Sequence, residues 1–584
     1  MSTQTLEPAP ESTSSSARRR LSARATSSDR FIYFLAAPVL FVLLLFVVVP
    51  MGQTMLASVD GGAADNYASF LDGASGEALL LSVGTSLASV LSCGLVGTVL
   101  AILLARFDFP GRRVLEVVAV LPMALPPLIG AVSFVLLYSE TGIVPRALAE
   151  WFGLSPADTA VTGVAGVLLV HTFTMYPFFY LSVSAGLAGL DPSLEAAAAN
   201  LGAGRARVWR TVILPMLTPA LVSGALLTFM ISMASFTAPQ LYNVPTLTMQ
   251  IVSTRTSGNE GLAAAQATVL SLVSIVFLVS MRWYQGRRVH RSLSKGSQLD
   301  RTVTRGPARI AALVGSALLT VVLMAPILVI VLVSLSVDAS WTTQVLPERY
   351  TFDNFTGIFT DPGSLLPISV SVQMSLLATG VAIVIGAIAA WVVARWKRLG
   401  GTVLDIMVML PWALPGTVIG VNLITAFNEP QPGNLGLTLV GTLWILPAAY
   451  FVRYVPLIFR STGAALDQIS PSLEEAARNL GAGPVRVLRT VTFPLVARGV
   501  LAGALLAFID GVGEYVASVV IYPAGLAPMS VEIYNRIYSS QFGSAAAYGT
   551  LQIVLILVVL IVSNRLKAGR RDSSGAALTA APAS

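Results

Sequence analysis

Hydrophobic residues fall along this chain in long unbroken runs rather than at strand spacing. A run of about twenty crosses roughly 30 Å of hydrocarbon at 1.5 Å per helical residue. Such runs lie near residues 31–50, 79–104, 114–138, 161–182, 213–236 and 262–281, and again near 310–337, 370–394, 403–427, 436–458, 492–518 and 546–563. The pattern predicts an all-α polytopic membrane protein with about 12 transmembrane helices. Several spans contain Gly and Pro, which a membrane tolerates when neighbouring helices satisfy the freed backbone groups. The Pro-rich third and ninth spans are expected to be broken. The first thirty residues, rich in Ser, Thr, Ala and Arg, read as a disordered tail, and the long first run as an uncleaved span rather than a secretory signal.

Composition narrows the class. Charged residues make up 11% of the 584 (36 Lys+Arg, 29 Asp+Glu), where a soluble chain carries about a quarter. Hydrophobic types reach 55% and the mean hydropathy is +0.77. Too little polar surface remains to cover a globule of this size, which excludes a soluble multidomain enzyme, a disordered chain and a nucleic-acid-binding protein. The single cysteine, Cys93, excludes disulfide frameworks and Cys-rich metal sites. With the N-terminus placed in the cytoplasm, the outward loops hold only Arg146, Arg255, Arg349 and Arg536. That asymmetry predicts an even number of spans with both termini inside. The net charge of +7 then reads as topology and contact with membrane lipid, not as a nucleic-acid surface.

The chain repeats itself. Asp191–Leu217 aligns without gaps on Ser470–Val496, and 17 of the 27 positions are identical, including Glu195/Glu474, Asn200/Asn479, Gly202/Gly481, Gly204/Gly483 and Pro215/Pro494. Upstream, Leu121-Pro122-Met123-Ala124-Leu125-Pro126 answers Leu410-Pro411-Trp412-Ala413-Leu414-Pro415, and Arg106 answers Arg395. Order is preserved, so the chain reads as two same-sense six-helix repeats about an axis along the membrane normal. The boundaries expected are a cytoplasmic tail at 1–30, a first transmembrane half at 31–282, a basic cytoplasmic linker at 283–308, a second transmembrane half at 309–566 and a cytoplasmic tail at 567–584.

The repeated loop has its own physics. Pro192 suits a helix start, Leu194–Leu201 is a short Ala-rich helical run, and Gly202-Ala203-Gly204 breaks it. A basic limb then leads to Pro215. The loop at 470–494 has the same build, and two such elbows at pseudo-symmetric positions point to a two-fold partner. Glu475-Ala476-Ala477, with Gly481 six places later and Pro494 beyond, resembles the EAA loop of permease subunits in type I ABC importers. The first copy, Ala196-Ala197-Ala198 with Gly202 and Pro215, carries Ala196 in place of the signature acid, while Glu195 matches Glu474. The resemblance covers essentially the whole chain as two fused permease halves. It implies that the elbows couple to a cytoplasmic P-loop ATPase homodimer, whose ATP-driven closure switches the permease between inward-open and outward-open states. It also implies an extracytoplasmic substrate-binding protein or lipoprotein and a place in the plasma membrane of a bacterium.

The three lysines, Lys295, Lys397 and Lys567, follow no glycine, so the sequence has no phosphate-binding Gly-x-x-x-x-Gly-Lys loop. No catalytic constellation appears, and any ATP and Mg belong to the partner ATPase. Ionisable residues inside spans are costly and therefore candidate pathway groups. Asp510 and Glu514 stand four apart on one helical face; they read as a pore lining or, equally, as a pair satisfied by backbone or by an arginine such as Arg536. Ser235 occupies the place of Glu514 in the first half, and Tyr515 adjoins the pair. Arg453 reads as snorkelling towards the inner interface and His171 as a satisfied buried histidine. The segment Gly513–Ser518 with Pro528–Tyr534 looks most like ferric iron permeases and less closely like thiamine ones; polyamines and phosphonates remain alternatives. An ion-coupled secondary transporter is the rival class, and it gives no reason for two matched elbows.

Overall fold

The computed structural model describes residues 30–60, 62–287, 302–303, 306–338, 340–341, 344–396 and 399–568. The N-terminal and C-terminal tails and most of the linker therefore lie outside the described residues. Among those described, ten helices are long and apolar enough to cross a membrane, and a bent pair makes up to eleven. In the first half these are Arg30–Ala57, Ala74–Arg106, Pro127–Phe152, Gly163–Ala188, Ala206–Met233 and Glu260–Ser280. In the second half they are Pro307–Ser334, Pro362–Arg395, the bent pair, Pro484–Val512 and Phe542–Val562. The remaining expected span is the helix Ile445–Asp467, which carries Arg453 and Arg460 and so fails on composition. It nonetheless packs between the eighth and eleventh spans, with Tyr450, Val455 and Ile458 buried. Each of the twelve regions thus holds a helix, and the tenth is displaced from the expected 436–458 to Ile445–Asp467.

Both expected breaks are present. The third span is divided into Arg112–Val118, a 3-10 turn at Leu121–Ala124 and Pro127–Tyr138. The ninth bends by 111° between Gly400–Ala413 and Gly416–Phe427. Pro126 and Pro415 sit at equivalent places with ψ of 135° and 147°. Each lacks an N–H to continue the ladder and turns the chain out of the helical path. Met123 and Trp412 are exposed beside the two breaks. Glu116 pairs one turn away with Arg112.

Close helix approach is bought with glycine. A Cβ on Gly97 would lie 2.5 Å from the Tyr176 carbonyl oxygen, and one on Gly503 would lie 2.8 Å from Cα of Ile458. These positions bring the second span against the fourth and the eleventh against the tenth, the small-residue contact typical of helices in lipid.

Two buried clusters form the cores, and they interlock. The second-half cluster takes in Ile32, Ala36, Val39 and Leu43 of the first span and Ala267 and Leu270 of the sixth. The first-half cluster takes in Leu323, Val329, Ile330 and Val333 of the seventh span and Ala545–Tyr548 of the twelfth. The outer helices of each half therefore pack on the core of the other. Phe31 meets Trp391, and Phe46 meets Phe427 and Phe451. The described part of the linker adds a two-residue parallel pairing of Thr302-Val303 with Phe107-Asp108.

Candidate functional site

Both elbows fold as their sequence dictates. The helices Pro192–Asn200 and Pro471–Asn479 each begin at a proline, which is preset for the first helical position. Gly202 and Gly481 then adopt φ of +79° and +87°, where only glycine is unstrained. In the second elbow this closes a paired cap, with the Gly481 amide donating to the Arg478 carbonyl at 3.0 Å and the Ala482 amide to Ala477 at 3.1 Å. Ala203 donates to Ala198 at 3.1 Å in the first. The return limbs Arg205–Val208 and Pro484–Val487 pass into π-helical turns at Trp209–Ile213 and Leu488–Thr492. Pro215 and Pro494 follow at the heads of the fifth and eleventh spans.

The two acids of the second elbow face opposite ways. Glu475 is exposed, as are Ala196, Ala197, Ala476, Gly202, Gly204, Gly481, Gly483, Pro215 and Pro494. Glu474 is buried, its carboxylate accepting from Arg395 Nε at 3.0 Å and Nη2 at 2.5 Å and from Thr492 Oγ1 at 2.9 Å. Burial pushes its carboxyl up, but hydrogen bonds from Arg395 and Thr492 and the nearby guanidinium charges outweigh this and hold it below the ordinary glutamate value. Glu195 meets Arg106 in the same two-pronged way. At each tip a leucine stands almost wholly in the open, Leu201 at 88% and Leu480 at 90% exposure. The sequence reading missed both the paired arginines and the leucines. The signal for the arginines was the repeat itself, which aligns Arg106 with Arg395.

At the other end of the bundle the halves differ. Glu514 is 3% exposed and accepts from Arg453 Nε at 2.8 Å, the Ala517 amide at 2.8 Å and the Tyr454 hydroxyl. Its partner is therefore Arg453, not Arg536, which binds Glu532 at 2.7 Å. Arg453 also corrects the snorkelling expectation. The helix runs on to Asp467 at the elbow end, so Arg453 lies nearer its other end, and the guanidinium turns inward to Glu514. Asp510 is exposed, and its carboxylate makes no hydrogen bond or ion pair among the described residues. Tyr515 is buried and donates to Gln240 of the first half at 2.5 Å. In the place of the charged pair the first half has His171, buried, within hydrogen-bond distance of Ser89 (2.8 Å) and Ser232 (3.1 Å) at Nδ1 and of Ser235 (2.9 Å) at Nε2. Both halves thus tie their fourth and fifth spans together, one through a histidine and serines and one through an arginine and a glutamate.

Relatives fit this picture. A family model described as binding-protein-dependent transport system inner membrane component matches residues 97–291 and 382–572, more than half of the chain and once in each half. A probable ABC transporter permease of Sinorhizobium fredii (strain NBRC 101917 / NGR234) is 30% identical over 566 residues, covering 94% of this chain and 99% of that protein. A ferric transport system permease of Actinobacillus pleuropneumoniae is 24% identical, covering 76% of this chain and 64% of its own length. An Fe(3+)-transport system permease of Haemophilus influenzae (strain ATCC 51907 / DSM 11121 / KW20 / Rd) is 24% identical, covering 79% of this chain and 84% of its own. Among solved structures, a bacterial ABC transporter that imports alginate aligns over 44% of this chain and 93% of that one, at 15% identity and a TM-score of 0.38. With two family domains and a full-length relative, the chain belongs to the binding-protein-dependent ABC transporter permeases, as two permease domains fused in one polypeptide.

Proposed function

We propose that this chain forms the translocation pathway of an ATP-driven importer for ferric iron and is driven by a separate cytoplasmic ATPase pair through its two elbows. The observation that carries the coupling is the matched pair of elbows, each presenting an exposed glycine-capped helix with a bare leucine at its tip. A bare leucine suits insertion into an apolar groove, and two such groups related by the repeat suit a two-fold partner. The elbow end is then cytoplasmic. On this reading the start of the first span, where Tyr33 meets Trp396, and the described strand of the linker lie on the cytoplasmic side as well. An extracytoplasmic binding protein delivers the cargo to the opposite face.

Ferric iron is supported by the two iron-transport permeases, each of which matches three quarters or more of this chain. Asp510, an unpaired carboxylate one turn from Glu514, suits a hard cation. A second reading, import of an oxyanion, draws on a molybdenum transport permease of Escherichia coli (strain K12) that is 33% identical over 216 residues, 35% of this chain. The test is uptake of radiolabelled ferric iron, against molybdate, by cells expressing this chain with its ATPase and binding protein. Iron uptake that falls with Asp510→Asn at equal membrane abundance supports the iron reading. Molybdate uptake without iron uptake refutes it. Recovery of the ATPase with the tagged chain, weakened by Glu475→Ala or Leu480→Asp, tests the coupling separately.

A further inference from the structure

An elbow can drive a bundle only if something other than the chain itself fastens it there. The continuous path from the second elbow into the eleventh span runs through a π-helical turn, Leu488–Thr492. The other tie is the two-pronged contact from Arg395, the last residue of the eighth span, to Glu474 in the elbow helix. Arg106 ends the second span and reaches Glu195 in the same way. The pairs occupy equivalent places in the repeat and are not alike. Glu474 has a second partner outside its own helix, Thr492 at 2.9 Å, and a weaker one within it, Arg478 at 3.4 Å, and its side chain is 4% exposed. Glu195 is 25% exposed, and Ile213 and Ala199 stand where Thr492 and Arg478 would be. Neither can donate a hydrogen bond. Arg106 instead has a buried Nε with no acceptor among the described residues and lies 5.5 Å over the Trp209 ring, where the second half has Leu488.

We propose that Arg395 and Arg106 are positioning residues that fasten each elbow to the span beside it, and that the second elbow is the stiffly held arm through which most ATPase motion enters the bundle. This rests on the reading that the elbows engage an ATPase. A two-pronged arginine–carboxylate contact fixes orientation as well as distance, and a buried one resists competition from water. The exposed Glu475 is then free to meet the partner while Glu474 carries the displacement inward. In the first elbow, which has Ala196 and, among the described residues, one arginine on Glu195, movement is taken up locally.

The test uses the chain with its bound ATPase in nanodiscs. Spin labels replace Trp151 and Tyr538, exposed residues of different halves away from the elbows. The distance between them is read with and without ATP and vanadate. In the parent complex the distance shifts on nucleotide trapping. Arg395→Gln should lower that shift at least two-fold with ATPase still bound, and Arg106→Gln should lower it less. The exchanged pair Arg395→Glu/Glu474→Arg should restore it, which a mere loss of folding would not allow. A full shift in Arg395→Gln, a larger loss in Arg106→Gln, or no recovery in the exchanged pair would each overturn the proposal. Should Arg395→Gln lose the ATPase, the exchanged pair decides by the same criterion. A parent chain that recovers no ATPase would instead refute the coupling reading itself, and this proposal with it.

Discussion

Replacing Glu514 by glutamine keeps an oxygen for the Ala517 amide and turns an amide nitrogen to the Tyr454 hydroxyl, which can accept it, while removing the negative charge opposite Arg453. The two charges are 2.8 Å apart and the carboxylate is 3% exposed. At an effective dielectric of about 20 their gross attraction is about 6 kcal/mol. Part of that is returned because the glutamate no longer has to be desolvated. The guanidinium, 27% exposed, is left stranded, and breaking such a pair costs about 3–5 kcal/mol net. Cys93, fully buried and the only cysteine, provides the assay: a thiol-reactive dye labels it as the detergent-solubilised protein unfolds with temperature. Glu514→Gln should label at clearly lower temperature than the parent. Adding Arg453→Met removes the stranded charge and should recover most of the loss, since a buried pair replaced as a unit is often nearly neutral. If Glu514→Gln melts with the parent, or if the double variant falls as far as the single one, then the pair does not hold the tenth and eleventh spans together.

Gly97→Ala places a methyl 2.5 Å from the Tyr176 carbonyl oxygen, whereas Gly84→Ala on the same helix meets open space. The first should lose about 1–3 kcal/mol in the same melting assay and the second should match or exceed the parent; equal behaviour would contradict the glycine contact. Gly481→Ala forces a side chain to φ of +87°, a local cost of about 1–2 kcal/mol. It should speed hydrogen exchange at the Gly481-Ala482 cap, and unchanged exchange would argue against the cap. The carboxyl of Glu474 titrates below its unfolded value, so its stabilisation is present above that value and disappears as pH falls through the lower, folded one. Amide protection of the helix Pro471–Asn479 should therefore hold down to the ordinary glutamate pKa of about 4.3 and decline only below it. A decline that begins near neutrality, or one unaltered in Glu474→Gln, would show that another group sets it.

Span positions were legible because twenty apolar residues in a row have few alternatives to a lipid environment. The exception, Ile445–Asp467, carries arginines that only tertiary partners explain, and Arg453 could be placed correctly only once Glu514 was seen beside it. Both breaks were legible because proline acts through its own backbone and needs no partner. The elbows were visible through their repetition. Their internal division of labour was not, since Glu474 and Glu475 are the same residue type and only the helical turn between them, with an arginine from a distant span, buries one and exposes the other. Likewise, nothing local to Asp510 and Glu514 says that one is satisfied and the other free. The separation of 275 positions between Tyr515 and Gln240 likewise puts their contact beyond any local pattern.

The crossing of outer helices between the halves has a consequence in time. Phe31 and Phe46 of the first span rest on Trp391, Phe427 and Phe451, residues that a ribosome adds last among these contacts. At typical synthesis rates that interval is about 20 to 80 s, during which the first span has left the ribosome and its seat does not exist. Lipid, or whatever machinery inserts the helix, must shelter it throughout. The first span is thus made long before its seat, and the first half cannot mature by itself while the second is still being translated.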